Sequence, residues 1–105
     1  PDHFAAGEAA MAAVYPTARD RLTNPELLEE GLEPHNVREL WVNDHANPDL
    51  YIDVSQHIHT AVQAIKQHES QVGDEEVEKH MKSWRTRTGE KVGLHYAESF
   101  KRFRF

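Results

Sequence analysis

Ile58, Ala61, Val62 and Ile65 recur at three- to four-residue spacing, with His59, Gln63, Lys66 and Gln67 falling between them. That period draws one apolar stripe along a helix and leaves the polar residues outside it, so a helix is predicted over 56–70, with Ser55 as its N-cap. A second stripe follows. Val77, Met81, Trp84 and Thr88 share one helical face, Asp74 after Gly73 is placed to cap it, and Glu75 and Glu76 suit the positive end of the helix dipole. This second long helix should end near Gly89.

Between residues 37 and 54 the period changes. Val37–Val42 and Leu50–Val54 are short, β-branched and aromatic, which predicts two strands, and Asn43–Asp49 between them carries loop chemistry throughout. Upstream, the helix formers of Phe4–Val14 predict a helix that ends before Pro16, with Phe4, Met11 and Tyr15 near one face. Asn24, Pro25 and Glu26 mark the start of a short helix over 25–30 that stops at Gly31. Tyr96–Phe105 has mixed alternation and carries Lys101, Arg102 and Arg104, which predicts an edge strand protected from pairing by charge. Strands and helices interleave, so the expected class is α/β.

The 105 residues suit one small domain, 1–105. A formal net charge of -6 argues against a polyanion binder, because phosphate backbones are held by clustered Lys and Arg; no nucleic-acid partner is expected. The chain has no cysteine, which excludes disulfides, thiolate metal sites and cysteine nucleophiles. No segment reads as a signal peptide or a membrane span, and a cytoplasmic location is the default expectation. Serine nucleophile chemistry has no Gly-x-Ser-x-Gly turn to support it, and the five glycines are isolated, so no phosphate-cradling loop is predicted.

Eight histidines remain to be explained. His3 beside Asp2, ahead of an Ala-rich helix, is the pairing expected of a metal ligand and its acidic orienting partner. His57 and His59 would share a face only in a strand, whereas a helix separates i from i+2. Asp44 and His45 lie in an inter-strand loop suited either to substrate contact or to plain solvation. His68 and Gln71 close the first long helix, where polar groups either serve a site or satisfy terminal carbonyls. His35, His80 and His95 have no suggestive partner and read as surface or packing residues.

Four segments, in this order, resemble one family: Pro1-Asp2-His3-(x3)-Gly7, Gly31-Leu32-Glu33-Pro34-His35-Asn36-Val37-Arg38-Glu39-Leu40-Trp41, Tyr51-Ile52-Asp53-Val54-Ser55 and Ile65-Lys66-Gln67-His68-Glu69-Ser70-Gln71. They are similar to the C-terminal part of the zinc-dependent N-deacetylases of the N-acetylglucosaminyl-phosphatidylinositol de-N-acetylase, or lincomycin-biosynthesis-protein-E-like, family. The likeness runs from residue 1 to about residue 100. In that family a His-Pro-Asp-His motif gives the last zinc ligand through its final His. An Ala-His-Pro-Asp-Asp motif gives the other His and Asp ligands and a carboxylate general base.

Matched residue by residue, the resemblance makes His3 a Zn²⁺ ligand and Asp2 the orienting neighbour of a His for which these residues hold no counterpart. The Ala-His-Pro-Asp-Asp segment has none either. The resemblance therefore implies the C-terminal portion of a larger deacetylase domain, with a doubly wound, mostly parallel Rossmann-like sheet flanked by helices. It implies a hydrolase that removes an N-acetyl group from an N-acetylglucosamine-type substrate, inactive in this portion alone. Asp44, His45, His68 and Gln71 become candidate substrate-side residues. Missing neighbours for the strands would favour a homo-oligomer or association with the other half. A non-catalytic interaction module and a small metal-binding protein are the alternatives.

Overall fold

A computed structural model describes residues 1–43, 45–72 and 74–105, and of Asp74 and Glu75 the backbone. The elements in chain order are α1 (Asp2–Ala12), a π-helical segment (Ala13–Thr17), α2 (Pro25–Glu29), β1 (Glu39–Asn43), β2 (Leu50–Asp53), α3 (Ile58–Lys66), α4 (Asp74–Glu90) and β3 (Ala97–Arg104). The class is mixed α and β. The three strands form one small antiparallel sheet in the order β1-β3-β2. Among the described residues there is no doubly wound parallel sheet.

The chain divides into two compact units, Pro1–Val42 with Arg102–Phe105, and Asn43–Lys101. In the first, α1 begins at Asp2 and none of its residues is buried; Phe4 is 82% exposed. Its alanines explain why it is helical without a stripe to bury, since Ala loses no side-chain entropy in a helix. Pro16 ends the regular helix by forcing its predecessor out of the helical region, and Tyr15 accordingly has φ -153° and ψ 127°. The α-helix proper is Asp2–Ala12, and the backbone leaves the helical region at Tyr15, directly after the predicted Val14.

The short helix α2 shows how local chemistry sets an end. Pro25 occupies its first turn, although Asn24 at the cap position makes no side-chain cap hydrogen bond. At the other end Gly31 takes φ +82°, Leu32 N–H donates to Leu27 O at 3.0 Å, and Gly31 N–H donates to Leu28 O at 3.0 Å. Those two bonds are a Schellman motif, in which a residue with positive φ lets the chain satisfy two terminal carbonyls.

The second unit holds the core. Val62 and Ala97 are fully buried, and Ile58 and Met81 nearly so. The stripe of α3 points inward as its period requires: Ile58 and Val62 are buried while His59, Gln63 and Gln67 are exposed. α3 packs on α4, whose Met81 and Thr88 are buried, and Lys66 reaches Glu78 at 3.5 Å while Lys82 holds the same carboxylate at 2.6 Å. The Lys82 hydrogen bond is the main reason that Glu78 titrates below the ordinary glutamate range.

Two expectations need correction. Ser55 is not the cap of α3; that helix starts at Ile58 behind a turn at residues 55–57, and His57 occupies the cap position without a side-chain bond. The predicted cap at Gly73 and Asp74 lies outside the described residue and side chain. The segment read as an edge strand, β3, instead lies between β1 and β2. Its basic residues are matched rather than left to repel a partner: Lys101 pairs with Asp49 at 2.7 Å in the second unit, and Arg104 pairs with Glu39 at 3.1 Å in the first. Along β2, Leu50, Tyr51, Ile52 and Asp53 face Phe100, Ser99, Glu98 and Ala97 in an antiparallel register.

Candidate functional site

Asp2 and His3 occupy the first turn of α1, and both are exposed. The turn is fixed by Ala5 N–H donating to Pro1 O at 3.0 Å. An acid belongs at this end of a helix on dipole grounds alone, so Asp2 has a structural reason to be there as well as a chemical one. Among the described residues, no group of three or more His, Asp or Glu converges to hold a metal ion. His3 offers one nitrogen donor where a catalytic zinc needs three protein ligands and an open position. The residues present do not by themselves fit a zinc centre.

In the second unit, His45 is exposed in the inter-strand loop and its Nδ1 accepts the Asn47 N–H at 3.1 Å. That bond makes His45 a turn former as it stands. Asp44, the other candidate in this loop, lies outside the described residues. His68 is exposed beyond the end of α3, where its N–H donates to Ile65 O and its carbonyl accepts from Gln71 and Val72 N–H groups. Gln71 lines a cavity of about 540 Å³ with Val72, Glu76, Val77, His80 and Ser83. No hydrogen bond or ion pair among the described residues joins His45 to His68 or to Gln71. His57 and His59 are both exposed on either side of buried Ile58.

A polar group that the sequence reading did not single out centres on Asp53. Its Oδ1 accepts the Ser55 hydroxyl at 2.6 Å and the Ser55 N–H at 2.9 Å, and Ser55 Oγ in turn accepts the Tyr96 N–H at 3.2 Å. The Asp-x-Ser spacing was the available signal, because an aspartate that bonds the backbone two residues on forms an Asx turn. The Ser55 hydroxyl bond and then its N–H hold Asp53 below the ordinary aspartate range, against an opposing effect of burial and with a weaker contribution from His95.

Because the folded-state value is depressed, the contribution to stability is present above the unfolded-state value and is lost as pH falls through the folded one. Ser55→Ala is expected to move the Asp53 titration upward and to flatten the acid-side loss of stability. Carbon-13 NMR titration of the carboxyl, with urea unfolding at neutral and acid pH, measures both. An unmoved Asp53 titration would refute the assignment.

A second hub, Glu39, accepts the Trp41 indole N–H at 2.9 Å and pairs with Arg104, with Arg102 at 4.0 Å. The Trp41 bond is the largest cause of its lowered titration. Both hubs are structural ties between backbone segments rather than sets of groups converging on an open position.

No helix among the described residues is long and apolar enough to cross a membrane. No protein-family profile matches the chain, and no curated protein matches it.

Proposed function

We propose that the chain is the C-terminal portion of a zinc-dependent N-deacetylase acting on an N-acetylglucosamine-type substrate, to which it contributes His3 as one metal ligand and Asp2 as an orienting carboxylate. The observation that supports this reading is the ordered set of four family-like segments, with the one that bears His3 exposed at the head of α1. In the whole enzyme the zinc would supply an activated water for attack on the acetamide carbonyl. Residues outside these 105 would supply the other ligands, the general base and the parallel strands of a doubly wound sheet.

Exposed Phe4, Leu22, Leu32 and Trp41 in the first unit leave apolar area that association would cover, either with those other residues or with a second copy. A non-catalytic interaction module is the competing reading, favoured by the same apolar exposure.

Zinc content by mass spectrometry and acetate release from an N-acetylglucosamine substrate separate the two. Both are measured on the product of the full reading frame and on the 105-residue chain, with light scattering on the same samples. The full product should carry zinc and turn over, and His3→Ala should weaken zinc binding by more than the ~10–100-fold that loss of an outer hydrogen-bond partner costs. The 105 residues alone should be inactive. A zinc-free full product, or turnover by the 105 residues alone, would refute the proposal.

A further inference from the structure

The first unit contains a cavity of about 410 Å³ whose polar lining is Arg19, Arg38, Asn36 and Tyr15, with Val37 and Phe105 among its apolar walls. Three chain segments are brought together to make it. Arg19 N–H donates to Pro16 O at 3.1 Å, which curls the chain after Tyr15; His35 N–H donates to Ala18 O at 2.8 Å and lays residues 35–38 against that turn; Phe105 N–H donates to Arg38 O at 3.1 Å and closes the third side.

No Asp or Glu side chain lines the cavity. Neither Arg19 nor Arg38 has an ion pair or side-chain hydrogen bond among the described residues. The neighbouring carboxylates are already engaged: Asp20 accepts the Leu22 N–H at 2.7 Å, Glu33 pairs with Arg21 at 3.0 Å, and Glu39 is held by Arg104 and Trp41. In a chain of net charge -6, two guanidinium groups without a side-chain partner in one concavity are a local exception suited to an anion.

We propose that this cavity binds a small organic phosphate monoester, its phosphate on Arg19 and Arg38 and its organic body against Tyr15, Val37 and Phe105. Two guanidinium forks match the oxygen geometry of a phosphate and its charge of about -1.5 to -2 at neutral pH. Asn36 and the Tyr15 hydroxyl add donors. The volume falls within the ~300–1,000 Å³ of small-molecule sites, and the half-exposed rings of Tyr15 and Phe105 give the organic part an apolar surface to cover. An extended polyanion is disfavoured because no further unpaired cation among the lining residues continues the positive surface. The site is separate from His3, since the ten residues of helix from His3 to Ala13 span about 15 Å, and it stands independently of the deacetylase reading.

The test is calorimetric titration with phenyl phosphate, inorganic phosphate and benzoate. Phenyl phosphate should bind saturably, and more tightly than inorganic phosphate, which lacks the apolar body, or benzoate, which carries one charge. Arg19→Ala and Arg38→Ala should each weaken it at least tenfold, while Arg21→Ala, which removes the same charge outside the cavity, should leave it unchanged. Both cavity arginines are exposed, so the amide NMR spectrum should persist; if one variant loses it, the other decides. Absence of saturable phenyl phosphate binding, or equal weakening by Arg21→Ala, would overturn the assignment.

Discussion

Met81→Ala is expected to destabilise the second unit by about 2–5 kcal/mol, the range for truncating a buried Met, Leu or Ile to Ala. The magnitude matters because this core is small: Ile58, Val62, Met81 and Ala97 are its buried apolar residues among those described. A unit of about 60 residues has a typical total stability of about 3–9 kcal/mol, so the loss is a large fraction of it. Urea unfolding followed by far-UV circular dichroism should show the midpoint falling sharply or the transition disappearing. Met81→Leu conserves volume to within a small change and should cost less than about 1.5 kcal/mol. Equal midpoints for Met81→Ala and the unaltered protein would mean that Met81 does not fill the space between α3 and its neighbours.

How much of this was legible in the sequence depends on the range of the physics involved. Elements set by local period were readable: the stripe of Ile58, Val62 and Ile65 lies on α3, and the face carrying Met81 and Thr88 is the buried face of α4. The end of α2 was readable because Gly31 is the residue that tolerates the positive φ a Schellman motif needs. Strand order was not. The charges of β3 suggested an edge, yet the same charges serve a central strand when acids lie opposite, and only the tertiary arrangement brings Asp49 to Lys101 and Glu39 to Arg104.

Ser55 shows the same limit at shorter range. A serine ahead of an apolar helical stripe is a natural N-cap, but Asp53 two residues earlier competes for it and wins, drawing both its hydroxyl and its N–H. The candidate site residues divide similarly. His3 was singled out by its neighbour Asp2 and by resemblance, and it stands exposed at the head of a helix. Arg19 and Arg38, nineteen positions apart in sequence, carry no spacing signal, because their shared cavity arises from the turn at Pro16 and the His35–Ala18 bond.

Gly89→Ala probes the opposite fault to Met81→Ala, an atom added where there is no room. The helix ends near Gly89 as expected, one residue later at Glu90, but Gly89 is not the residue that turns the chain: Gly93 takes the positive φ of 74° in the following turn. Gly89 is there for close approach: a Cβ would collide with the backbone carbonyl of Leu94. The turn cannot simply yield, since Leu94 and Val92 N–H groups both donate to Gly89 O at 2.9 Å. Alanine gains about 1 kcal/mol of helix propensity over glycine. Against this stand an overpacking cost of about 1–3 kcal/mol and about 1 kcal/mol for each turn hydrogen bond lost in relieving the clash. A net destabilisation of about 1–4 kcal/mol follows, which lowers the melting temperature by roughly 4–32 °C for a unit of this size. A thermal melt of Gly89→Ala is the measurement. A melting temperature at or above that of the unaltered protein would show propensity outweighing contact, and the return of the chain from α4 into β3 would not pass against this face of the helix.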